Sequence, residues 1–150
     1  MRTGAARIVR ALASTFGCGY IPGISGTVGS AAGLALVWSW PGLKWPLLAL
    51  TTILGFAIAR AAVRAFDDPD PKRFVLDETA GMILSVLFVP AEPMPYLTAF
   101  ILFRALDTVK PWPIILIQRL GTPASIMWDD LAAGAVTLAL TWGAVRIGWI

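Results

Sequence analysis

The 150-residue chain has nine acidic residues, and five of them fall in three clusters: Asp77 with Glu78, Asp107 alone, and Asp129 with Asp130. Each cluster borders a long apolar stretch, where an ionised carboxylate is costly unless it is paired or holds a metal ion. Oxygen donors in a chain without a single histidine suit a hard cation, Mg²⁺ first and Mn²⁺ second, and argue against zinc. A carboxylate at a helix amino terminus also interacts well with the helix dipole, so one acidic pair has a simple explanation as capping; two pairs and Asp107 at one depth are harder to dismiss.

Cations accompany the middle cluster. In the run Phe103-Arg104-Ala105-Leu106-Asp107-Thr108-Val109-Lys110-Pro111-Trp112-Pro113, Arg104, Asp107 and Lys110 recur every three residues and lie near one helix face. Arginine offers phosphate a bidentate fork and lysine a point charge, while Pro111 and Pro113 impose an end or a kink after the polar face. The competing account is structural: Arg104 paired with Asp107, and Lys110 reaching toward lipid headgroups.

Gly17 to Ser30 form a glycine-rich loop that leads into an apolar segment. Its backbone amides, with the hydroxyls of Thr27 and Ser30 and the approach left open at Gly26, suit an anionic phosphate. Gly26, Gly29, Ser30 and Gly33 equally suit close packing of helices in a membrane, as do Gly81 and Gly134, each four residues after a carboxylate. No Gly-Lys-Ser/Thr follows, so this is not a P-loop. The lack of histidine excludes histidine phosphatases, and no arginine stands six residues after Cys18, which excludes a cysteine-phosphatase loop. The one Asp-x-Asp spacing, Asp68-Pro69-Asp70, falls in a proline-broken polar loop and is not a nucleophile motif, so attack by a metal-activated water is the chemistry left.

The elements that must position these groups belong to a membrane. Hydrophobic residues make up 57% of the chain and charged ones 14%, far from the balance of a soluble domain. The most apolar stretches are Val28 to Trp40, Trp45 to Phe66, Thr79 to Val89, Pro95 to Leu106 and Ile126 to Ile147. Only the second and the last reach the ~20 residues a straight helix needs to cross ~30 Å of hydrocarbon. The third and fourth either recruit buried polar flanks or form a hairpin that enters without crossing. Before them, Ile8, Val9, Leu12 and Phe16 would share one face of a short helix lying on the membrane surface, with a partly ordered tail as the alternative. No cleavable signal, repeat or domain boundary appears. The expected fold is all-α: one domain over 1–150, with four to five membrane-embedded helices and an amino-terminal interfacial helix.

Basic residues set the orientation. Arg2, Arg7 and Arg10 precede the first span, Arg60, Arg64, Lys72 and Arg73 follow the second, and Arg104, Lys110 and Arg119 follow the fourth. The intervening turns, Pro41 to Lys44 and Pro90 to Pro95, hold one basic residue between them, so the basic loops face the cytoplasm and all three acidic clusters fall at that end. A net charge of +3 spread beside apolar segments suits membrane anchoring and not nucleic acid.

In order and spacing, Gly17 to Ser30, Leu76-Asp77-Glu78-Thr79-Ala80-Gly81, Phe103 to Pro113 and Asp129-Asp130-Leu131-Ala132-Ala133-Gly134 resemble the signature segments of the phosphatidylglycerophosphatase A family. The resemblance runs from Thr15 to the carboxyl terminus, and its most specific piece is Phe-Arg-x-x-Asp-x-x-Lys-Pro-Trp-Pro. It implies Mg²⁺-dependent hydrolysis of phosphatidylglycerophosphate to phosphatidylglycerol and inorganic phosphate, in the bacterial inner membrane. Carried over position by position, it makes Asp77, Glu78, Asp107, Asp129 and Asp130 the acidic site and Arg104 and Lys110 the phosphate binders. Ser25 departs from the family loop, which usually has Pro there; Pro22 is retained.

The mechanism expected on this basis has Asp77, Asp107, Asp129 and Asp130 sharing one or two Mg²⁺ ions, and Glu78 positioning or deprotonating water. Arg104, Lys110 and Thr27, with Ser30 and Gly26 beside them, hold the phosphate. The alternative is a cation transporter or channel, which would distribute charge through the membrane depth instead of at one end. A lipid synthase would need an Asp-Gly and Ala-Arg pattern that is absent here. A bundle this small can also pair with a copy of itself to cover its polar ends.

Overall fold

The computed structural model describes residues 3–150; Arg2, one of the three amino-terminal arginines, lies outside the described residues. Seven α-helices and no strand occur among them: α1 (Thr3–Ala13), α2 (Ser25–Ser39), α3 (Lys44–Phe66), α4 (Leu76–Ser85), α5 (Pro93–Val109), α6 (Ile114–Gln118) and α7 (Ser125–Arg146). Short 3₁₀ turns at Cys18–Tyr20 and Pro41–Leu43 lead toward α2 and α3. One stretch, Pro41–Phe66, is both long and apolar enough to cross a membrane, with a mean hydropathy of 1.8. At 1.5 Å per residue, α3 and α7 are about 33–35 Å long, α5 about 25 Å and α4 only about 15 Å.

Proline and left-handed residues set the helix limits. Pro46 lies in the first turn of α3 and Pro93 opens α5, positions where the missing N–H has no helical partner to lose. Asp67 and Lys110, at φ 55 and 45, end α3 and α5 in the left-handed region, and Pro111 cannot extend α5 further. Lys110 therefore follows the helix that carries Arg104 and Asp107 and does not share it. At the other end of the chain, α1 stops at Ala13 and Phe16 sits at φ 56, largely exposed, so it does not continue the face of Val9 and Leu12 as expected.

The short α4 is the centre of the molecule, packed by α2, α3, α5 and α7. Eight of its ten residues are buried, and Met82, Ile83 and Val86 join Val37, Phe103 and Ala133 in the main core. Close backbone approach supplies contact area in this packing. A Cβ on Gly134 would stand 2.5 Å from the Gly81 carbonyl oxygen, and one on Gly81 would stand 2.7 Å from the Asp130 carbonyl oxygen. The same holds where Gly29 and Gly33 of α2 face Val75 and Thr79. Thr79 secures that contact by donating to the Gly29 carbonyl at 3.0 Å. Small residues at these positions thus let α2 and α7 lie directly against α4, which brings their polar amino-terminal ends together.

The loop from Asp67 to Val75 is fixed to the first helix. The Val75 amide donates to the Ala13 carbonyl at 2.9 Å, and Arg10 donates to the Ala65 carbonyl. This sets the entry point of α4, and with it Asp77 and Glu78.

Candidate active site

Asp77 and Glu78 occupy the first turn of α4, where the helix dipole favours them, and Asp77 Oδ1 accepts from the Glu78 amide at 2.9 Å. Asp129 and Asp130 sit differently. Thr122 and Ser125 cap the start of α7 reciprocally, the Thr122 amide donating to Ser125 Oγ at 3.1 Å and the Ser125 amide to Thr122 Oγ1 at 3.2 Å. The acidic pair follows one turn inside the helix, beyond the reach of the dipole, so capping does not account for it. Asp107 comes from the last turn of α5.

These five carboxylates line one polar pocket of about 560 Å³, together with Gly26, Thr27, Arg104 and Lys110. Asp77, Asp107, Asp129 and Asp130 retain 2–8% exposure, so their charges are largely removed from water. Five buried or half-buried carboxylates face two such cations, an imbalance that an apolar surround makes expensive. Lys72 and Asp70, both exposed, stand at the rim and offset each other.

Pairing divides the carboxylates into two sets. Lys110 Nζ lies 3.0 Å from Asp107 Oδ1, 2.7 Å from Asp129 Oδ2 and 3.5 Å from Asp130 Oδ1. Burial alone would lower the pKa of that ammonium, but Asp130, Asp107 and Asp129 together raise it above its ordinary value, so it stays charged. Arg104 Nη1 meets Asp107 Oδ2 at 2.6 Å and donates to Ser30 Oγ at 3.4 Å. Asp77 and Glu78 have no ion pair among the described residues, and with Asp130 they bring one oxygen each to within 4.8 Å of one another. Glu78 Oε2 and Asp129 Oδ1 are buried without a hydrogen-bond partner.

That donor set fits a hard divalent cation: three clustered carboxylate oxygens, an orphaned oxygen on Glu78, and surplus negative charge beside them. The expected metal ligands Asp107 and Asp129 instead hold Lys110, with Asp130 touching both sets. Of the expected phosphate group, Arg104, Lys110, Thr27 and Gly26 line the pocket. Ser30 acts behind it, donating to the Gly26 carbonyl at 2.9 Å while it accepts from Arg104. Gly26 lies close against the site's side chains, because a Cβ there would meet Glu78 Oε1 at 2.5 Å and Arg104 Nη1 at 3.2 Å.

Sequence reasoning passed over Gln118, Ile126 and Phe74, which also line the pocket. Gln118 had a visible signal, as the lone uncharged polar side chain in the apolar run Ile114 to Leu120. Phe74 and Ile126 had none, since apolar residues beside helix starts are ordinary.

An all-helical protein that gathers carboxylates, an arginine and a lysine at converging helix ends is built to handle a phosphate group. Residues 11–145 match the family described as phosphatidylglycerophosphatase A. The Escherichia coli (strain K12) protein of that name is 32% identical over 135 residues, covering 86% of this chain and 78% of its own. The Haemophilus influenzae phosphatidylglycerophosphatase A is 33% identical over 132 residues, covering 83% and 81%. A Bacteroides thetaiotaomicron protein named "Putative phosphatidylinositol-3-phosphatase" is 33% identical over 136 residues, covering 83% and 86%. No solved structure matches the chain. The chain belongs to the phosphatidylglycerophosphatase A family, and it is a phosphoric monoester hydrolase.

Proposed function

We propose that the protein removes the terminal phosphate of phosphatidylglycerophosphate at the cytoplasmic face of a bacterial inner membrane, with Mg²⁺ as its cofactor. The observation that carries this reading is the convergence of Asp77, Glu78, Asp130, Arg104 and Lys110 on one pocket at the basic end of the bundle. Arg7, Arg10, Arg60, Arg64, Lys72, Arg73 and Arg119 belong to that end, against Lys44 and Arg146 at the other. Helices besides α3 are membrane-embedded in this reading, and their exposed residues support it: Leu97 and Ile101 of α5 and Leu140 of α7 are each at least half exposed.

Asp77, Glu78 and Asp130 would hold the Mg²⁺, which supplies charge neutralisation for the phosphate and acidifies a water. Glu78, whose Oε2 is buried without a hydrogen-bond partner, would orient a water and take up its proton. Arg104, anchored by Asp107 and Ser30, presents its remaining N–H groups to phosphate oxygens, and Thr27 adds a hydroxyl. Lys110 pairs with Asp107 and Asp129, reaches Asp130 at 3.5 Å, and keeps a positive charge beside the departing phosphate.

The test is phosphate release by detergent-purified protein offered phosphatidylglycerophosphate, with Mg²⁺ and with EDTA, beside Asp130→Ala. Release that needs both the metal and Asp130 is expected; release unaffected by EDTA and by the substitution would remove this site from the reaction. The Bacteroides relative's name gives one competing substrate, a phosphomonoester on an inositol ring. Faster release from phosphatidylinositol-3-phosphate in the same assay would move the headgroup assignment to it. A cation path is disfavoured, because the carboxylates gather in a single pocket and do not continue through the bundle.

A further inference from the structure

A second cavity lies outside the charged pocket, between α3 and α7, with a volume of about 630 Å³. We propose that it seats one acyl chain of the lipid whose phosphate enters the charged pocket, a proposal that rests on the lipid-phosphatase reading above. Its walls are apolar: Leu48, Thr52 and Ile53 follow one stripe of α3, and Trp128, Leu131 and Ala135 follow one stripe of α7.

Register fixes which way the groove runs. The helices pack against each other with opposite directions, so Trp128 meets the middle of α3, its ring tilted by 56° against that of Phe56 with centroids 5.1 Å apart, and the groove extends from there back to Trp45. Its Trp128 end adjoins the charged pocket on two elements. On α7, Trp128 lines the groove and its neighbour Asp129 lines the pocket; on α6, Ile117 lines the groove and Gln118 the pocket. On α4, Leu84 of the groove lies two turns beyond Asp77 on the same face. A molecule with a phosphate at one end and a hydrocarbon chain at the other meets both cavities in the right order, with α6 as the sill between them.

Another apolar hollow, where Ala35 and Leu34 of α2 face Leu97 and Phe100 of α5, has no lining residue next in the chain to one of the charged pocket. It is the natural control. The experiment compares dihexanoyl and dipalmitoyl phosphatidylglycerophosphate as substrates, and wild type with Ala49→Trp, whose new ring would fill the groove, and Ala35→Trp, whose ring would fill the control hollow. We expect Ala49→Trp to raise KM for the dipalmitoyl lipid at least about tenfold more than for the dihexanoyl one, with Ala35→Trp leaving that ratio as in wild type. A dipalmitoyl analogue carrying a photoreactive diazirine on one chain, used with wild type in EDTA, is expected to label α3 and α7 peptides over those of α2 and α5.

Equal chain-length ratios for the three proteins, or labelling without preference for α3 and α7, would overturn the proposal. So would conversion of a dimer to a monomer by Ala49→Trp with an unchanged ratio, which would give the groove to a second copy of the chain. If wild type turned over neither substrate, the catalytic reading would fail, while the labelling would still read the groove.

Discussion

The two ends of α4 stand in contrast. At its carboxyl end the Lys44 ammonium donates to the carbonyls of Val86, which follows the last residue of α4, at 2.9 Å and of Val89 at 2.6 Å, so a cation meets the negative pole of the helix. At the amino end Asp77 and Glu78 have no paired cation among the described residues, and Glu78 keeps a buried oxygen without a partner. Ten residues separate an end whose electrostatic needs are met internally from one that needs a guest. The first kind of end secures a helix, and the second is the end to which the proposed Mg²⁺ would come.

The largest effect should come from the unsatisfied end. Asp130→Ala is expected to lower turnover by at least about 10²- to 10³-fold, with a melting temperature equal to or above wild type, since it removes a crowded buried charge. A melting temperature that collapses with activity would make Asp130 structural and erase the contrast. Lys110→Met comes next. It leaves Asp129 without its cation and Asp107 with Arg104 alone, and is expected to cost roughly 2–3 kcal/mol after allowance for partial exposure, partly regained on adding Mg²⁺; thermal unfolding with and without the metal measures it.

Gly134→Ala forces α7 off α4 at the Gly81 carbonyl and is expected to cost about 1–3 kcal/mol, with turnover falling because the two acidic pairs separate. Unchanged activity in a destabilised Gly134→Ala would show that the carboxylates tolerate more displacement than their spacing suggests. The smallest effect belongs to the satisfied end: Lys44→Met should lose about 1–2 kcal/mol of stability while kcat for the lipid stays at the wild-type value. A large loss of kcat there would break the division between the two ends of α4.

Legibility from sequence followed the same division between local and remote causes. Length and apolar content mark α3 and α7, and Pro111 marks the end of α5, because each depends on residues adjacent in the chain. Co-location of Asp77, Asp107 and Asp130 was also readable, since each cluster falls at the same end of its helix under the basic-loop orientation. Three things were not readable. The separation of Asp107 and Asp129 from the Asp77, Glu78 and Asp130 set depends on where the Lys110 side chain turns, which follows from a left-handed residue after α5. Lys44 read as a lone turn cation, because the carbonyls it serves lie 42 and 45 residues away. The five-residue α6 was hidden inside a basic loop, too short to show a periodicity, yet it carries Gln118 into the pocket.

The groove beside α3 also bears on how turnover is to be counted. Trp45, Ile53 and Trp128 along it remain more than half exposed, so its flank is open sideways rather than toward the solvent above the pocket. A lipid that enters by this flank never leaves the plane of the sheet it is dissolved in, and its arrival is a two-dimensional search. The concentration that governs the rate is then the mole fraction of substrate among its neighbouring lipids. Diluting vesicles in buffer should leave the rate per enzyme unchanged, whereas diluting the substrate with inert lipid should slow it.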